Sequence, residues 1–258
     1  MAIFFIDNME NFSNYQADKD LLRDRVILVT GAGQGIGRQA AITYAACGAI
    51  VILHGRKTKK LENVYDEISE LKREEAVIFP FDFEKATEND FYTIAESIAS
   101  QLGRLDGILH NAAFTYGPMP FEHHTLEHLQ TLMHVNLLAP ITLTKACLPL
   151  LKLSNDASIV MTSDDHGHVP SAFWGAFAIA KAGVEAYVKI QSEEWTLLPN
   201  IRINGLVPGP VHSPQRVKTH PGELKSKLLQ PSDLMGTYLY LMGPDSKGRS
   251  GEVLFCQS

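Results

Sequence analysis

Near the start of the chain, Thr30-Gly31-Ala32-Gly33-Gln34-Gly35-Ile36-Gly37 closes an apolar run and opens a helical one. Backbone N–H groups at a helix N-terminus favour negative charge, and glycines let a ligand approach them closely. The loop suits a pyrophosphate, with Gly31, Gln34, Gly35, Ile36 and Gly37 as the expected contacts. Far downstream, Phe177 and Lys181 stand four residues apart, on one face of a helix. They follow the polar run Ser163-Asp164-Asp165-His166-Gly167-His168. A lysine, carboxyl groups and imidazoles are the residue types that move protons near neutrality; a phenylalanine moves none. His124 and His128 have the i, i+4 spacing of a metal-binding pair, but no third ligand is suitably spaced, and no metal site is expected.

Regular elements must hold these groups. Residues 25–30 (Arg-Val-Ile-Leu-Val-Thr) are β-branched and apolar without polar alternation, as in a strand buried on both faces. Comparable runs recur at 50–54, 76–81, 105–110, 158–163, 201–207 and 252–255. Helical stretches lie between them at 36–47, 58–73, 88–102, around 126–153, 174–198 and 231–242. Strict alternation of strand and helix implies right-handed crossovers and a parallel sheet covered on both faces. The expected fold is α/β: a single-domain, Rossmann-type doubly wound parallel sheet of about seven strands over 25–258. Residues 1–24 read as an N-terminal extension.

Composition narrows the function classes. The 258 residues carry a formal net charge of −6, which argues against a general affinity for nucleic acid. No run reaches the roughly 20 apolar residues of a membrane span. Cys47, Cys147 and Cys256 are far apart and lack ligand spacing, as expected of reduced thiols in a cytoplasmic protein.

The spacing Gly31-x-x-x-Gly35-x-Gly37 after Thr30 resembles the hallmark of the short-chain dehydrogenase/reductase family. The resemblance extends from about Leu22 to Ser258, and further family elements follow in order. Asp82, after the third strand, matches the aspartate that holds the adenine amino group. Asn111-Ala112-Ala113 resembles the family's Asn-Ala-Gly beside the adenine ribose. Pro208-Gly209 resembles the turn that reaches the nicotinamide, and Ser213 lies where a threonine usually meets the carboxamide. The resemblance implies a nicotinamide nucleotide, a small carbonyl or alcohol substrate, and a dimer or tetramer built on the long helices. At the end of the second strand stands Gly55, followed by Arg56. An acid there would bind the ribose hydroxyls of NAD(H); a guanidinium favours the 2′-phosphate of NADP(H). NADP(H) is therefore expected over NAD(H).

The family's catalytic set is an Asn, a Ser, a Tyr and a Lys. Asn136 and Lys181 match two of these, and Lys181 is also the expected ribose contact. The tyrosine position, four before the lysine, is Phe177. The serine usually lies thirteen residues before the tyrosine, which is Asp164; Gly167 then matches the family glycine three residues on. Ser163 serves only if a one-residue insertion shifts the register. General acid catalysis contributes roughly 10²–10⁴-fold and an oxyanion donor about 10²–10³-fold, so ordinary ketone reduction is not expected. Two readings follow: an oxidoreductase with an altered acid–base arrangement, or a catalytically degenerate member that senses nucleotide or serves as a partner subunit.

Overall fold

The computed structural model describes residues 12–73 and 75–257; residues 1–11 of the expected extension lie outside them. Strands β1 (Val26–Thr30), β2 (Ile50–Gly55), β3 (Val77–Pro80), β4 (Gly107–His110), β5 (Ala157–Thr162), β6 (Ile201–Val207) and β7 (Val253–Phe255) pair in parallel, in the order β3-β2-β1-β4-β5-β6-β7. The strand order reverses between β1 and β4, and a crevice opens beyond the strand ends at such a switch point.

Side chains alternate across each strand, and this sorts the apolar residues into two layers. Ile27, Val29, Val51 and Leu53 face α1 (Gly35–Ala46) and α9 (Met235–Met242). Val26, Leu28, Ile52 and Ile108 face α3 (Glu88–Leu102), α5 (Ala139–Leu153) and α7 (Gly175–Glu194). Helix α2 (Thr58–Glu70) buries Leu61, Val64 and Ile68 in the first layer. Residues 12–24 lie against that layer too: Leu22 is fully buried, and Phe12 stacks on Tyr240 with centroids 3.8 Å apart.

The long helical stretch expected around 126–153 is interrupted. Helix α4 (Leu126–Met133) passes into a π-turn (His134–Leu138) before α5 begins. The Asn136 side chain donates to the Leu132 carbonyl at 2.8 Å, competing for the oxygen that a regular α-helix would give to the Asn136 N–H. By length and composition Leu126–Leu153 is apolar enough to cross a membrane, yet 56% of its most apolar window is packed inside the protein. It is a core helix. Cys47, Cys147 and Cys256 are free and buried.

The segment 210–230, which has no clear sequence periodicity, contains α8 (Pro214–Thr219), with Ser213 accepting from the Arg216 N–H at 3.2 Å as its N-cap. A four-residue helix, α6 (Asp165–His168), follows β5.

Candidate active site at the carboxyl ends of the strands

A cleft of about 560 Å³ runs along the carboxyl ends of the strands, from the glycine loop to Lys181 and α8. Gly31, Gln34, Gly35 and Ile36 line one end, together with Arg56, Asp82 and Asn111. Ser163, Asp164, Phe177, Lys181, Pro208, Gly209 and Ser213 line the other. Of the residues singled out in the sequence, Gly37 and Asn136 support the cleft from behind.

The glycine loop needs its glycines for two different reasons. Gly31 (φ 71°) and Gly35 (φ 57°) adopt left-handed backbone that other residues rarely tolerate. A Cβ on Gly37 would sit 2.4 Å from the Gly31 carbonyl oxygen and 2.6 Å from Asn111 Nδ2, so the helix can approach the loop only without one. Thr30 fixes the opposite wall. Its Oγ1 accepts from the Asn111 and Ala112 N–H groups, each at 3.0 Å, and so ties the end of β1 to the loop after β4.

Three cations converge where β2 ends. Arg56, Lys57 and Lys60 all line the cleft. Arg56 lies 3.4 Å from Glu84 and 4.0 Å from Asp82, and its guanidinium sits 5.8 Å from the Phe114 ring centre. The Lys60 ammonium donates to the Gln34 side chain across the glycine loop. Arg56 was legible in the sequence, whereas Lys60 was one of several lysines in a charged run. Its place in the first turn of α2, facing Gly33, is a product of the fold. Asp82 caps the short 3-10 helix Phe83–Lys85 by accepting from the Glu84 N–H at 3.2 Å.

Asn136 is buried and fully paired: Oδ1 accepts from the Phe114 N–H at 2.9 Å, and Nδ2 donates to the carbonyls of Phe114 (2.9 Å) and Leu132. The π-turn thereby anchors the loop that carries Phe114, Thr115 and Tyr116 along the cleft. Lys181, only 3% exposed, donates from Nζ to the Thr162 carbonyl at 2.7 Å. Burial pushes its ammonium down to about 8, opposed by the charge of Asp164. The Phe177 ring lies where its helical spacing predicts, with its centre 5.8 Å from the Lys181 ammonium, at cation–π range.

Ser163 and Asp164 diverge, as adjacent residues at a strand end must. The Ser163 hydroxyl donates to Glu185 Oε1 at 2.6 Å, and the other Glu185 oxygen meets His168 Nδ1 at 3.0 Å. Asp164 is half-buried and accepts from the His166 N–H at 3.0 Å. Its neighbour Asp165 is held above the usual carboxylate range by burial, then by the Asp164 charge. Gly167 passes so close to α7 that a Cβ would stand 2.5 Å from Lys181 Cβ. Tyr116 lines the cleft, while Tyr187 packs into the layer of α3 and α5.

Two supports carried no sequence signal. Glu185 lies one turn beyond Lys181 and looks like any exposed helix acid until β5 delivers Ser163 to it. Gln257 donates from Nε2 to the Pro208 and Pro210 carbonyls at 2.8 and 2.9 Å, and so clamps the turn at Gly209 (φ 71°) from the chain's far end.

This is a Rossmann-type α/β oxidoreductase fold, and the chain belongs to the short-chain dehydrogenase family, whose model it matches over residues 25–223. It is 40% identical to the uncharacterized oxidoreductase YciK of Escherichia coli K12 over 95% of this chain and 96% of the relative. Among solved structures, a short-chain dehydrogenase from Escherichia coli CFT073 complexed with NADPH superposes with TM-score 0.89 at 40% identity, covering 94% of this chain and all of the other. A counterpart from Shigella flexneri complexed with NADP gives TM-score 0.90 at 38% identity, over 93% of this chain and all of the other.

Proposed function

We propose that the chain is an NADP(H)-dependent oxidoreductase that works with an altered acid–base arrangement. One observation carries this reading: a continuous cleft joins the glycine loop, three cations at the end of β2, and Lys181. Gly31, Gln34, Gly35 and Ile36 suit the pyrophosphate, and Asp82 with Asn111 the adenosine side. Arg56, Lys57 and Lys60 suit a 2′-phosphate, through charge-assisted hydrogen bonds. Lys181, Pro208, Gly209 and Ser213 are placed for the nicotinamide end. When bound, this cofactor supplies or accepts hydride. Relatives crystallised with NADPH and NADP support the same choice.

At the reacting end Asp164 takes the family's serine position. Its register agrees with the close approach of Gly167 to Lys181, and the Ser163 hydroxyl is turned to Glu185. Phe177 takes the tyrosine position and transfers no proton. Lys181, buried and near neutrality, is the group that holds a transferable proton beside Asp164. Asn136 acts by positioning the loop at Phe114. A second reading keeps the nucleotide site and drops turnover: a nucleotide sensor or partner subunit, favoured by Phe177 and Asp164 alone. Leu138, Leu153, Ile179 and Ile190, exposed on and beside α5 and α7, suit a homodimer or homotetramer. The free, buried cysteines agree with a cytoplasmic setting.

Calorimetric titration separates the cofactors. NADPH is expected to bind at least about tenfold more tightly than NADH, and Arg56→Ala to erase most of the difference, since one hydrogen bond to a charged group contributes about 1.5–3 kcal/mol. Equal binding of the two nucleotides by the native protein contradicts the choice of cofactor.

A further inference from the structure

Phe177 leaves the reacting end without a tyrosine hydroxyl, and the fold brings a different proton-bearing group to the same end. His220 follows α8 and lines the cleft with Asp164, Phe177 and Lys181. Its imidazole lies nearly parallel to the Trp174 indole, with centroids 5.8 Å apart, and that indole packs on the Phe177 ring at 5.6 Å. The backbone fixes it as well. The His220 N–H donates to the Arg216 carbonyl at 2.8 Å, and the Arg216 guanidinium grips Glu223 through hydrogen bonds of 2.7 and 2.8 Å, closing the turn beyond. The Asp164 charge favours the charged form of both His220 and Lys181, so the three groups share one end of the cleft.

Hydrogen bonds determine which ring nitrogen is free. Thr219 Oγ1 donates its proton to the carbonyls behind it, Gln215 at 3.2 Å and Arg216 at 3.4 Å. It therefore accepts from His220 Nδ1–H, at 2.9 Å. The neutral imidazole then carries its lone pair on Nε2, which bonds to none of the described residues. Burial holds His220 below the usual histidine value of 6.5; the charges of Arg216 and His166 add to this, while Glu223 and Asp164 oppose it. At pH 7 the ring is a proton acceptor. Its neighbours are less suited to that task. Lys181 still holds its proton at pH 7, since its value is about 8. A carboxylate is a weaker base than imidazole by about two to three pKa units. His166 stacks on Trp174 at 3.9 Å, but its Nδ1 meets the Ser171 hydroxyl, which can donate or accept, so neither of its nitrogens is fixed as the acceptor.

We propose that His220 Nε2 is the general base in the oxidation of a secondary alcohol by NADP⁺. This rests on the nicotinamide-cofactor reading above. The hydroxyl proton of the alcohol passes to Nε2, and the hydrogen on its carbinol carbon leaves as hydride to the oxidised nicotinamide. The O–H and C–H bonds break, the carbonyl double bond forms, and the imidazolium returns its proton to water. The products are ketone, NADPH and a proton. Asp164 steadies the imidazolium, and Nδ1–H keeps its bond to Thr219 throughout. In the reverse direction His220 serves as the acid only while protonated, so ketone reduction is slow at neutral pH.

Histidine ¹⁵N NMR on the full chain without nucleotide tests the base itself. The His220 resonances, assigned by their loss in His220→Gln, should show a protonated Nδ1 and a bare Nε2 at neutral pH, and should titrate below 6.5. A neutral ring that carries its proton on Nε2 overturns the proposal. Oxidation of cyclohexanol, 2-butanol and 1-phenylethanol with NADP⁺ tests the role. Here kcat/KM should rise with pH along a limb below 6.5 and then level off. His220→Gln should remove that limb and lower kcat by about 10²-fold or more, with alcohol KM and NADP⁺ affinity held within about threefold. Added imidazole should raise kcat of His220→Ala by about tenfold or more, as expected when a missing base is resupplied. A limb near 8 that survives His220→Gln names Lys181 as the base and overturns the proposal. So does a limb lost in His166→Gln instead, or no oxidation of any of these alcohols by a chain that binds NADP⁺. Failure to bind NADP⁺ at all sinks the cofactor reading itself, and is seen separately by calorimetry.

Discussion

Burial of Lys181 costs the native state stability, and the cost is measurable through pH. The ammonium is buried at 3% exposure, and its value falls from 10.5 to about 8. A lysine whose folded value lies below its unfolded one penalises the fold whenever it is charged. The penalty is complete below about pH 8. Between 8 and 10.5 the unfolded chain holds the proton that the folded chain has released, so stability rises with pH and the penalty is gone above 10.5. The full difference is about 3 kcal/mol, at 1.36 kcal/mol per pKa unit. The perturbation is Lys181→Met, which keeps the length of the side chain and removes the charge. Urea unfolding of the native protein and the variant at a series of pH values gives the difference in their stabilities, in which other titrating groups largely cancel. That difference should move in favour of the native lysine by about 2–3 kcal/mol between pH 7 and pH 10. A flat difference, or one that falls with pH, refutes the claim that burial dominates the environment of Lys181.

Two further outcomes test the site. Gly37→Ala drives a methyl group onto the Gly31 carbonyl; it should lower stability by about 1–3 kcal/mol and weaken nucleotide binding, read by thermal melting with and without NADPH, whereas an unchanged melting curve would mean that the loop yields freely. The double variant Asp164→Ser/Phe177→Tyr restores both hydroxyl donors and should raise reduction of simple ketones by roughly 10²-fold or more over the native chain, measured as NADPH consumption; no gain would mean that more than these two groups separates the native site from ordinary ketone reduction.

Much of this protein was legible in one dimension. A strand buried on both faces announces itself by an unbroken apolar run, as at Val26–Val29, so the strands and their parallel arrangement follow from the order of the elements. The glycine loop is legible because left-handed backbone and close approach both demand glycine, and each demand falls on a single residue. Phe177 and Lys181 are legible because helical spacing alone puts them on one face.

The remainder depended on distance in sequence. The π-turn at His134–Leu138 arises because the Asn136 amide competes for a carbonyl in its own helix while tying down Phe114, 22 residues away. Ser163 and Asp164 are neighbours in the chain and both line the cleft, yet only the arrival of Glu185 from α7 engages the serine hydroxyl. Lys60 joins Arg56 as a phosphate-binding candidate only because α2 folds back over Gly33, and Gln257 reaches the Pro208–Pro210 turn from 47 residues beyond its nearer partner. The sequence by itself determined the strand-and-helix order, the nucleotide loop and the absence of a hydroxyl at position 177, since each is set by local backbone chemistry or by residue type. Only the tertiary structure decided which side chains meet at the reacting end, because burial, hydrogen-bond competition and ring stacking belong to pairs of residues that the chain keeps far apart.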